Sequence, residues 1–129
     1  MEASVVLLER GDRILLLRRS ATDSRFPLHW NFPGGRIDTF ETATQAAIRE
    51  TFEETGITLD PSDLDFIGSF EEGGINVHLF RAKTSQSKVV MVDKEHDQYV
   101  WITPSEIVCY RALRLCTDVV KYLSETEQI

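Results

Sequence analysis

The chain has 129 residues, 42% of them hydrophobic and 27% charged, and carries a formal net charge of −7. This length and composition predict one domain over residues 1–129 and exclude two domains of ordinary size. The net charge argues against a broad electrostatic surface for duplex nucleic acid, and no stretch is long enough to span a membrane. The apolar run near the N-terminus is too short for a signal peptide, so we expect a cytoplasmic protein. The sequence shows no long apolar surface stripe, so it gives no basis for predicting an oligomeric state.

Two short β-rich segments open the chain. Ser4 to Leu8 and Ile14 to Arg18 flank Gly11-Asp12, a pair typical of a hairpin turn, so we expect two antiparallel strands. The second segment runs into Arg18-Arg19. These arginines are either solvated residues at a strand end or guanidinium groups placed to bind phosphate oxygens.

A polar segment and a glycine turn come next. Ser20 to His29 is predicted to form an irregular loop over the entrance of a site. In the following segment, strand alternation turns Trp30 and Phe32 to one face, where they pack in the core or stack on a nucleobase. Pro33-Gly34-Gly35 predicts a tight turn in which the backbone can approach a ligand closely.

An amphipathic helix is predicted from Ala43 to Thr55. Thr42 and Gln45 match a capping box at its start, and Gly56 is a typical residue just after a helix end. The segment therefore has both a start signal and a stop signal around a helical period.

Three carboxylates gather on one side of this helix. Glu50 and Glu54 lie one turn apart, with Glu53 beside them, whereas Ile48 and Phe52 point to an opposite, apolar side that we expect to be buried. The acidic side continues in small residues, namely Ala43, Ala46 and Ala47.

The acidic side of the helix has two interpretations. It is either a solvated acidic surface or a set of metal ligands. Like charges four residues apart on a helix cost roughly 0.2–0.5 kcal/mol, so Glu50 beside Glu54 is mildly unfavourable without a cation. Carboxylate oxygens on a rigid element suit Mg²⁺ better than a transition metal, and we favour metal binding.

The second half of the chain is predicted to alternate strands with turns and to end in helices. Strands are expected at Leu64–Phe70, Ile75–Ala82, Val89–Val92 and Tyr99–Ile102, a helix start at Thr103-Pro104, and a helix over Arg111–Leu123. An acidic loop over residues 93–97 precedes the last of these strands. Cys109 and Cys116 lack a CxxC pattern, so we expect reduced thiols in the core.

The segment from Gly35 to Ile57 resembles the Nudix box. That motif consists of Gly, five residues, Glu, seven residues, and then Arg-Glu-U-x-Glu-Glu-x-Gly-U, where U is aliphatic. The positions that match are Gly35, Glu41, Arg49, Glu50, Glu53, Glu54, Gly56 and Ile57. Thr51 departs from the pattern, because it occupies the first aliphatic position. A match of eight positions at this spacing is a specific signal.

The resemblance implies a fold and a reaction. The fold would be an α/β/α sandwich around a mixed β-sheet. The reaction would be the Mg²⁺-dependent hydrolysis of a phosphoanhydride bond in a nucleoside diphosphate linked to another moiety, with Mn²⁺ as an alternative metal. The WNFPGG lead-in and the short chain are similar to MutT-type members, which favours a nucleoside triphosphate or a nucleotide sugar as the small-molecule partner.

The resemblance also implies roles for individual residues. The implied metal ligands are Glu50, Glu53, Glu54, Glu95 and a backbone carbonyl of Gly34 or Gly35. The implied catalytic set is Arg49, Glu50, Glu53, Glu54 and Glu95. The implied substrate-binding residues are Arg19, Trp30, Phe32, Gly34, Gly35 and Arg36. Arg49 would orient the carboxylates with Glu41 as its partner.

Several alternatives stay open at this point. Asp93 and Asp97 compete with Glu95 as the acid of the late loop, and His96 either orients a water or faces solvent. The general base is Glu95 or a helix glutamate that holds no metal. A non-catalytic module that senses a nucleotide or binds a partner is the alternative function, although none of the three box glutamates is lost.

Overall fold

The computed structural model describes residues 1–23, 26–91, 93–110, 121–122 and 124–126. Most of the predicted helix from Arg111 to Leu123 lies outside these residues, as does Cys116, although Lys121 and Tyr122 are helical. The predictions of a helix over residues 111–120 and of a core position for Cys116 therefore stay predictions.

The described residues form a mixed β-sheet, one complete α-helix and further helical residues at 121–122 and 124–125. The strands are β1 (Glu2–Arg10), β2 (Arg13–Arg19), β3 (Trp30–Asn31), β4 (Gly34–Arg36), β5 (Leu64–Glu72), β6 (Ile75–Lys83) and β7 (His96–Ile102), and the helix is α1 (Ala43–Thr55). Short 3₁₀ helices span Pro61–Asp63 and Pro104–Cys109. Among the described helices, none is both long and apolar enough to cross a membrane.

Strand β1 is the centre of the sheet. It pairs in parallel with β6 and antiparallel with β2 and β4, while β7 and β3 extend the β2 side and β5 pairs with β6. The predicted hairpin at Gly11-Asp12 is confirmed, because Arg10 faces Arg13 across the turn. The predicted strands Leu64–Phe70 and Ile75–Ala82 are confirmed as well; they extend to Glu72 and Lys83, and Gly73-Gly74 lie between them.

Both faces of β1 are buried. Val6 and Leu8 pack in the core on the side of α1, and Val5 and Leu7 pack in a second core on the other side. Side chains alternate along a strand, so a continuous apolar run such as this one requires a layer on each face. Helical Tyr122 packs against the second core. The architecture is an α/β sandwich.

The predicted helix and its caps are confirmed. The Thr42 side chain accepts a hydrogen bond from the Gln45 backbone at 3.1 Å, and the Gln45 side chain accepts one from the Thr42 backbone at 2.9 Å. Gly56 ends the helix in the left-handed conformation, with φ 73°, and donates to the Phe52 carbonyl. These contacts satisfy backbone groups that a helix leaves unpaired at its ends.

The prediction that the Phe52 side of α1 is buried was wrong. Ala46 and Ala47 are fully buried and Glu54 is 2% exposed, whereas Phe52 is 52% exposed. Ile48 is partly buried at the edge of the core. Alanines let the helix backbone lie close to the sheet, so the side that carries Glu54, rather than the bulkier Phe52 side, faces the strands.

Two further predictions require correction. Val89 to Met91 form no strand; Val89 is buried and Val90 donates a backbone hydrogen bond to Thr55 at 2.8 Å. Cys109 is exposed at the end of a 3₁₀ helix and is not a core thiol. The helix start at Pro104 is confirmed, as a 3₁₀ helix with Pro at its beginning.

Candidate active site

Strand β4 brings the glycine turn against α1. The Gly34 backbone N–H donates to Glu54 Oε1 at 2.9 Å. A Cβ atom at Gly35 would lie 2.6 Å from Glu50 Cδ, so no larger residue fits there without moving that carboxylate. The absence of side chains in the turn therefore lets two helix carboxylates lie directly against the backbone.

Arg49 organises the acidic residues around it. Its guanidinium donates to both carboxylate oxygens of Glu41, at 2.7 and 2.9 Å, and to Glu50 at 2.9 Å. It also lies 3.3 Å from Glu53 and donates to the Arg36 carbonyl at 3.1 Å. The predicted contact between Arg49 and Glu41 is present, and this ion pair holds the pKa of Glu41 at about 2.

The loop before β7 supplies more carboxylates. Ser20 donates a backbone hydrogen bond to the Glu95 carbonyl at 2.8 Å, which ties the loop to the end of β2. Asp97 is held away from the site, because Arg18 binds both of its oxygens at 2.9 and 3.0 Å. Of the three acids proposed for this loop, Asp93 and Glu95 line the cavity described below.

Four side chains from α1 and this loop converge. Glu54, Asp93, Glu95 and His96 each place one oxygen or ring nitrogen within 4.8 Å of the others. His96 is 5% exposed, and its Nδ1 lies 3.3 Å from Asp93 Oδ2. Asp93 Oδ1 and His96 Nε2 are buried with no hydrogen-bond partner among the described residues. A cation fits this donor set, since it would satisfy buried atoms that are otherwise unpaired.

Burial and mutual repulsion change the acidity of the helix glutamates. Burial raises the pKa of Glu54 well above its ordinary value of 4.5. The hydrogen bond from the Gly34 N–H lowers this pKa but does not cancel the shift, and the charges of Glu50, Asp93 and Glu95 raise it further. Burial also raises the pKa of Glu50, although Arg49 opposes the shift. Without a cation, the site therefore favours a protonated Glu54.

The metal-free protein should become less stable as the pH rises above about 4.5, the ordinary pKa of a glutamate. Above about pH 4.5, the unfolded chain ionises Glu54 while the folded chain keeps it protonated, so the folded state binds more protons. Glu50 acts in the same direction. Thermal denaturation in excess chelator measures the effect, and Glu54→Gln should flatten the slope. A slope that Glu54→Gln leaves unchanged would contradict this origin.

A cavity of about 630 Å³ opens beside these carboxylates. Its lining residues are Met1, Ala3, Val5, Arg19, Phe26, Asn31, Phe32, Gly34, Gly35, Arg36, Glu50, Glu53, Glu72, Gly73, Ile75, Asp93 and Glu95. The lining thus combines acidic residues, two arginines, a glycine turn and apolar side chains in one space. Such a mixture suits a ligand with an anionic part and a flat apolar part.

The structure places most of the predicted substrate-binding residues in this lining. Arg19 lies there and pairs with Asp23 at 2.7 Å, and Arg36 lies there with an exposed side chain. Phe32 lines the cavity from the core, at 2% exposure. Trp30 does not line it; its ring meets Tyr110 edge to face, with centroids 5.1 Å apart. Of the two predicted uses of Trp30, the structure shows core packing.

Two of the predicted catalytic residues are not part of the cavity lining. Glu54 and Arg49 do not line the cavity, while Glu50 and Glu53 do. Glu54 contacts the site through Gly34 and through the cluster with the late loop. A ligand in the cavity would therefore meet Glu50 and Glu53 directly and Glu54 through a bound cation.

Sequence reasoning missed several residues of the site. His96 was expected to orient a water or to face solvent and Asp93 was only an alternative to Glu95, yet both belong to the cluster. Their spacing to Glu95 was visible, but no local signal separates them from Asp97. The cavity lining also includes Met1, Ala3 and Ile75. The pairing of β1 with β6 brings these residues together, and no short-range signal in the sequence predicts that pairing.

Comparison with known proteins identifies the family. A family model described as the NUDIX domain matches residues 1–122. The chain is 30% identical over 110 residues to the CTP pyrophosphohydrolase of Escherichia coli (strain K12), covering 85% of this chain and 81% of that protein. It superposes on the MutT protein from Methanosarcina mazei Go1 with TM-score 0.81, at 24% identity and over 100% and 96% of the two chains. The NUDIX domain of Shewanella oneidensis NrtR, solved with ADP ribose, also gives TM-score 0.81, at 14% identity and over 98% and 87% of the two chains. The chain therefore belongs to the Nudix family, and it is a Nudix hydrolase of nucleoside diphosphate-linked substrates.

Proposed function

We propose that this chain hydrolyses a phosphoanhydride bond of a nucleoside triphosphate in a reaction that requires Mg²⁺, with Mn²⁺ as an alternative metal. The observation that carries the proposal is the convergence of acidic residues from α1 and the late loop on one cavity. The similarity to a CTP pyrophosphohydrolase supports a triphosphate as the substrate. An isolated acidic surface would not bury Glu54 at 2% exposure among other carboxylates.

Acidic side chains and a glycine carbonyl would bind the metal, and one acidic side chain would accept a proton. Glu50, Glu53, Glu54 and Glu95, with a carbonyl of Gly34 or Gly35, would hold the metal. When bound, Mg²⁺ neutralises phosphate charge and lowers the pKa of a coordinated water. One of these four glutamates, either Glu95 or a helix glutamate that is not bound to the metal during the reaction, would accept the proton of the attacking water.

Arg49 serves as a positioning residue in this proposal. It binds Glu41 with two hydrogen bonds and Glu50 with one, and it does not line the cavity. A guanidinium that binds several carboxylates limits the rotation of their side chains. Glu50 is therefore presented to the cavity in one orientation.

Two arginines would bind the phosphates in this proposal. Arg19 and Arg36 both line the cavity that contains Glu50 and Glu53. Guanidinium groups bind phosphate oxygens with two parallel hydrogen bonds, which fixes orientation as well as charge. The apolar lining, including Phe26 and Phe32, is available for a nucleobase.

A nucleotide sugar is the second candidate substrate. The NUDIX domain of NrtR, which shares this fold, was solved with ADP ribose. A cavity of about 630 Å³ is within the range of sites that enclose drug-sized ligands. Glu72 and Gly73 in the lining offer polar atoms that a sugar hydroxyl could contact.

Nucleotide binding should fall sharply when Mg²⁺ is removed. The chain carries a net charge of −7, and several carboxylates face the cavity, so a triphosphate is repelled unless a divalent ion intervenes. Calorimetry with a non-hydrolysable nucleoside triphosphate, in Mg²⁺ or in excess chelator, measures the difference, which we expect to be about a hundredfold or more in Kd. Equal affinity in the two buffers would contradict the proposed metal bridge.

A substrate panel tests the reaction itself. Nucleoside triphosphates, nucleotide sugars, ADP-ribose and dinucleoside polyphosphates would be incubated with the protein and Mg²⁺, and the phosphate products identified. The proposal expects the highest kcat/KM among the triphosphates. Higher values for a nucleotide sugar would select the second candidate, and turnover of neither class would reject both.

A further inference from the structure

We infer that His96 and Asp93 are ligands of the metal site, which makes it a mixed nitrogen and oxygen centre that binds Mn²⁺ more tightly than Mg²⁺. The inference rests on the proposed function, because it concerns the metal of that same site. It adds two residues to the ligands that the Nudix box implies, and it changes the expected metal preference.

The first observation is geometric. One oxygen each from Glu54, Asp93 and Glu95 and one ring nitrogen of His96 lie within 4.8 Å of one another. Asp93 and Glu95 come from the loop before β7, His96 is the first residue of β7, and Glu54 comes from α1. The coordinating atoms of one ion must lie this close together, although carboxylates alone do so in many proteins without any ion.

The second observation is the state of His96 itself. Its side chain is 1% exposed, and its Nε2 atom is buried without a hydrogen-bond partner among the described residues. Asp93 shows the same feature at Oδ1. A buried polar atom without a partner is uncommon in a folded protein, and an unseen ion is one of the standard explanations. A cation would give the lone pairs of both residues a partner.

The fold holds this loop in place on both sides of His96. The Glu95 carbonyl accepts a hydrogen bond from the Ser20 backbone, and both carboxylate oxygens of Asp97 accept hydrogen bonds from the Arg18 side chain. The pairing of β2 with β7 shifts register between Arg18 and Arg19, opposite His96. Such irregularities re-aim side chains next to active sites. Here the bulge accompanies the turn of His96 into the acidic cluster.

The chemistry of the donor set decides the metal. Mg²⁺ favours oxygen ligands and retains several waters, whereas imidazole nitrogen is a good ligand for the divalent transition metals. Mn²⁺ accepts carboxylates as Mg²⁺ does, but it is a first-row transition metal and gives up waters for an imidazole nitrogen more readily than Mg²⁺ does. A site whose carboxylate ligands are joined by one imidazole should therefore select Mn²⁺ when both ions are present.

Pulsed EPR of the 129-residue chain loaded with Mn²⁺ alone tests the inference. We expect a hyperfine coupling from a histidine nitrogen, which should change when the histidines carry nitrogen-15. His96→Gln should abolish the coupling and weaken Mn²⁺ binding by about tenfold. The isotope experiment requires no substitution, so it decides the question even if His96→Gln fails to fold.

His78→Gln is the matched control. His78 also lies in a strand, but it contacts Ser69 and Glu2 at 2.8 and 2.9 Å, away from the cluster. This variant should keep the nitrogen coupling and the Mn²⁺ affinity. Competition with Mg²⁺ then measures the preference, which should be larger in wild type than in His96→Gln.

The outcomes separate the inference from the proposed function. Mn²⁺ bound without a histidine coupling, in a chain that hydrolyses nucleotides, would overturn the inference and leave the proposed function intact. A coupling that persists in His96→Gln would overturn it as well. A chain that binds neither ion and hydrolyses no nucleotide would overturn the proposed function.

Discussion

Glu54→Gln should lower kcat/KM for the best substrate by about 10³-fold while the chain stays folded. Glu54 is the one box glutamate that is fully enclosed, and it contacts both the Gly34 backbone and the cluster of the late loop. Glutamine has the same shape and keeps an oxygen for the Gly34 N–H, but it has no charge to hold a divalent ion. Steady-state kinetics with Mg²⁺ measure the loss.

Stability should move in the opposite direction from activity in this variant. Because burial raises the pKa of Glu54, the neutral amide of glutamine suits the metal-free site better than a carboxylate at neutral pH. Thermal unfolding in chelator should therefore show an unchanged or higher Tm. Glu71→Gln, on the exposed part of β5, is the control and should keep wild-type turnover. Full turnover in Glu54→Gln would remove this residue from the metal site.

Local features of the site could be predicted from the sequence. The limits of α1 follow from Thr42, Gln45 and Gly56, and the structure places each cap as expected. The pair formed by Arg49 and Glu41 followed from the resemblance to the Nudix box, and it is present. These contacts lie within one helix and its flanking turns, where residue spacing alone determines the distance between side chains.

The rotation of the helix could not be predicted in the same way. Periodicity placed the glutamates opposite Phe52, and the larger apolar side chain was expected to face the core. The structure shows Phe52 exposed and Glu54 buried, because alanines line the side that meets the sheet. The side that is buried depends on how closely the backbones approach, and sequence hydrophobicity does not report that distance.

The late loop shows a second limit of the same kind. Asp93, Glu95 and Asp97 are equivalent in the sequence as acids with alternating spacing. Arg18 selects among them, because it binds Asp97 and leaves the other two in the lining of the cavity. That selection is a contact between β2 and β7, 79 residues apart in the chain, so it depends on sheet register and not on local pattern.

Gly34→Ala and Gly35→Ala should fail in different ways, although the two positions are adjacent. A Cβ at Gly34 would lie 2.3 Å from the Ser4 carbonyl oxygen and 2.8 Å from Val5 Cα. These are backbone atoms of the central strand, so β4 must separate from β1. We expect Gly34→Ala to lose about 3 kcal/mol of unfolding free energy, measured by denaturant titration.

Gly35→Ala should instead keep its stability and lose activity. Its Cβ would collide with the carboxylate of Glu50, which Arg49 holds but which, as the end of a side chain, can shift where backbone atoms cannot. Moving that carboxylate by about 1 Å should lower kcat by about a hundredfold, with a change of Tm close to zero. Gly68→Ala is the control, because its Cβ would make an ordinary contact of 3.5 Å with Phe70. Equal loss of stability at Gly34 and Gly35, with activity preserved at Gly35, would show that Glu50 needs no fixed position against the glycine turn.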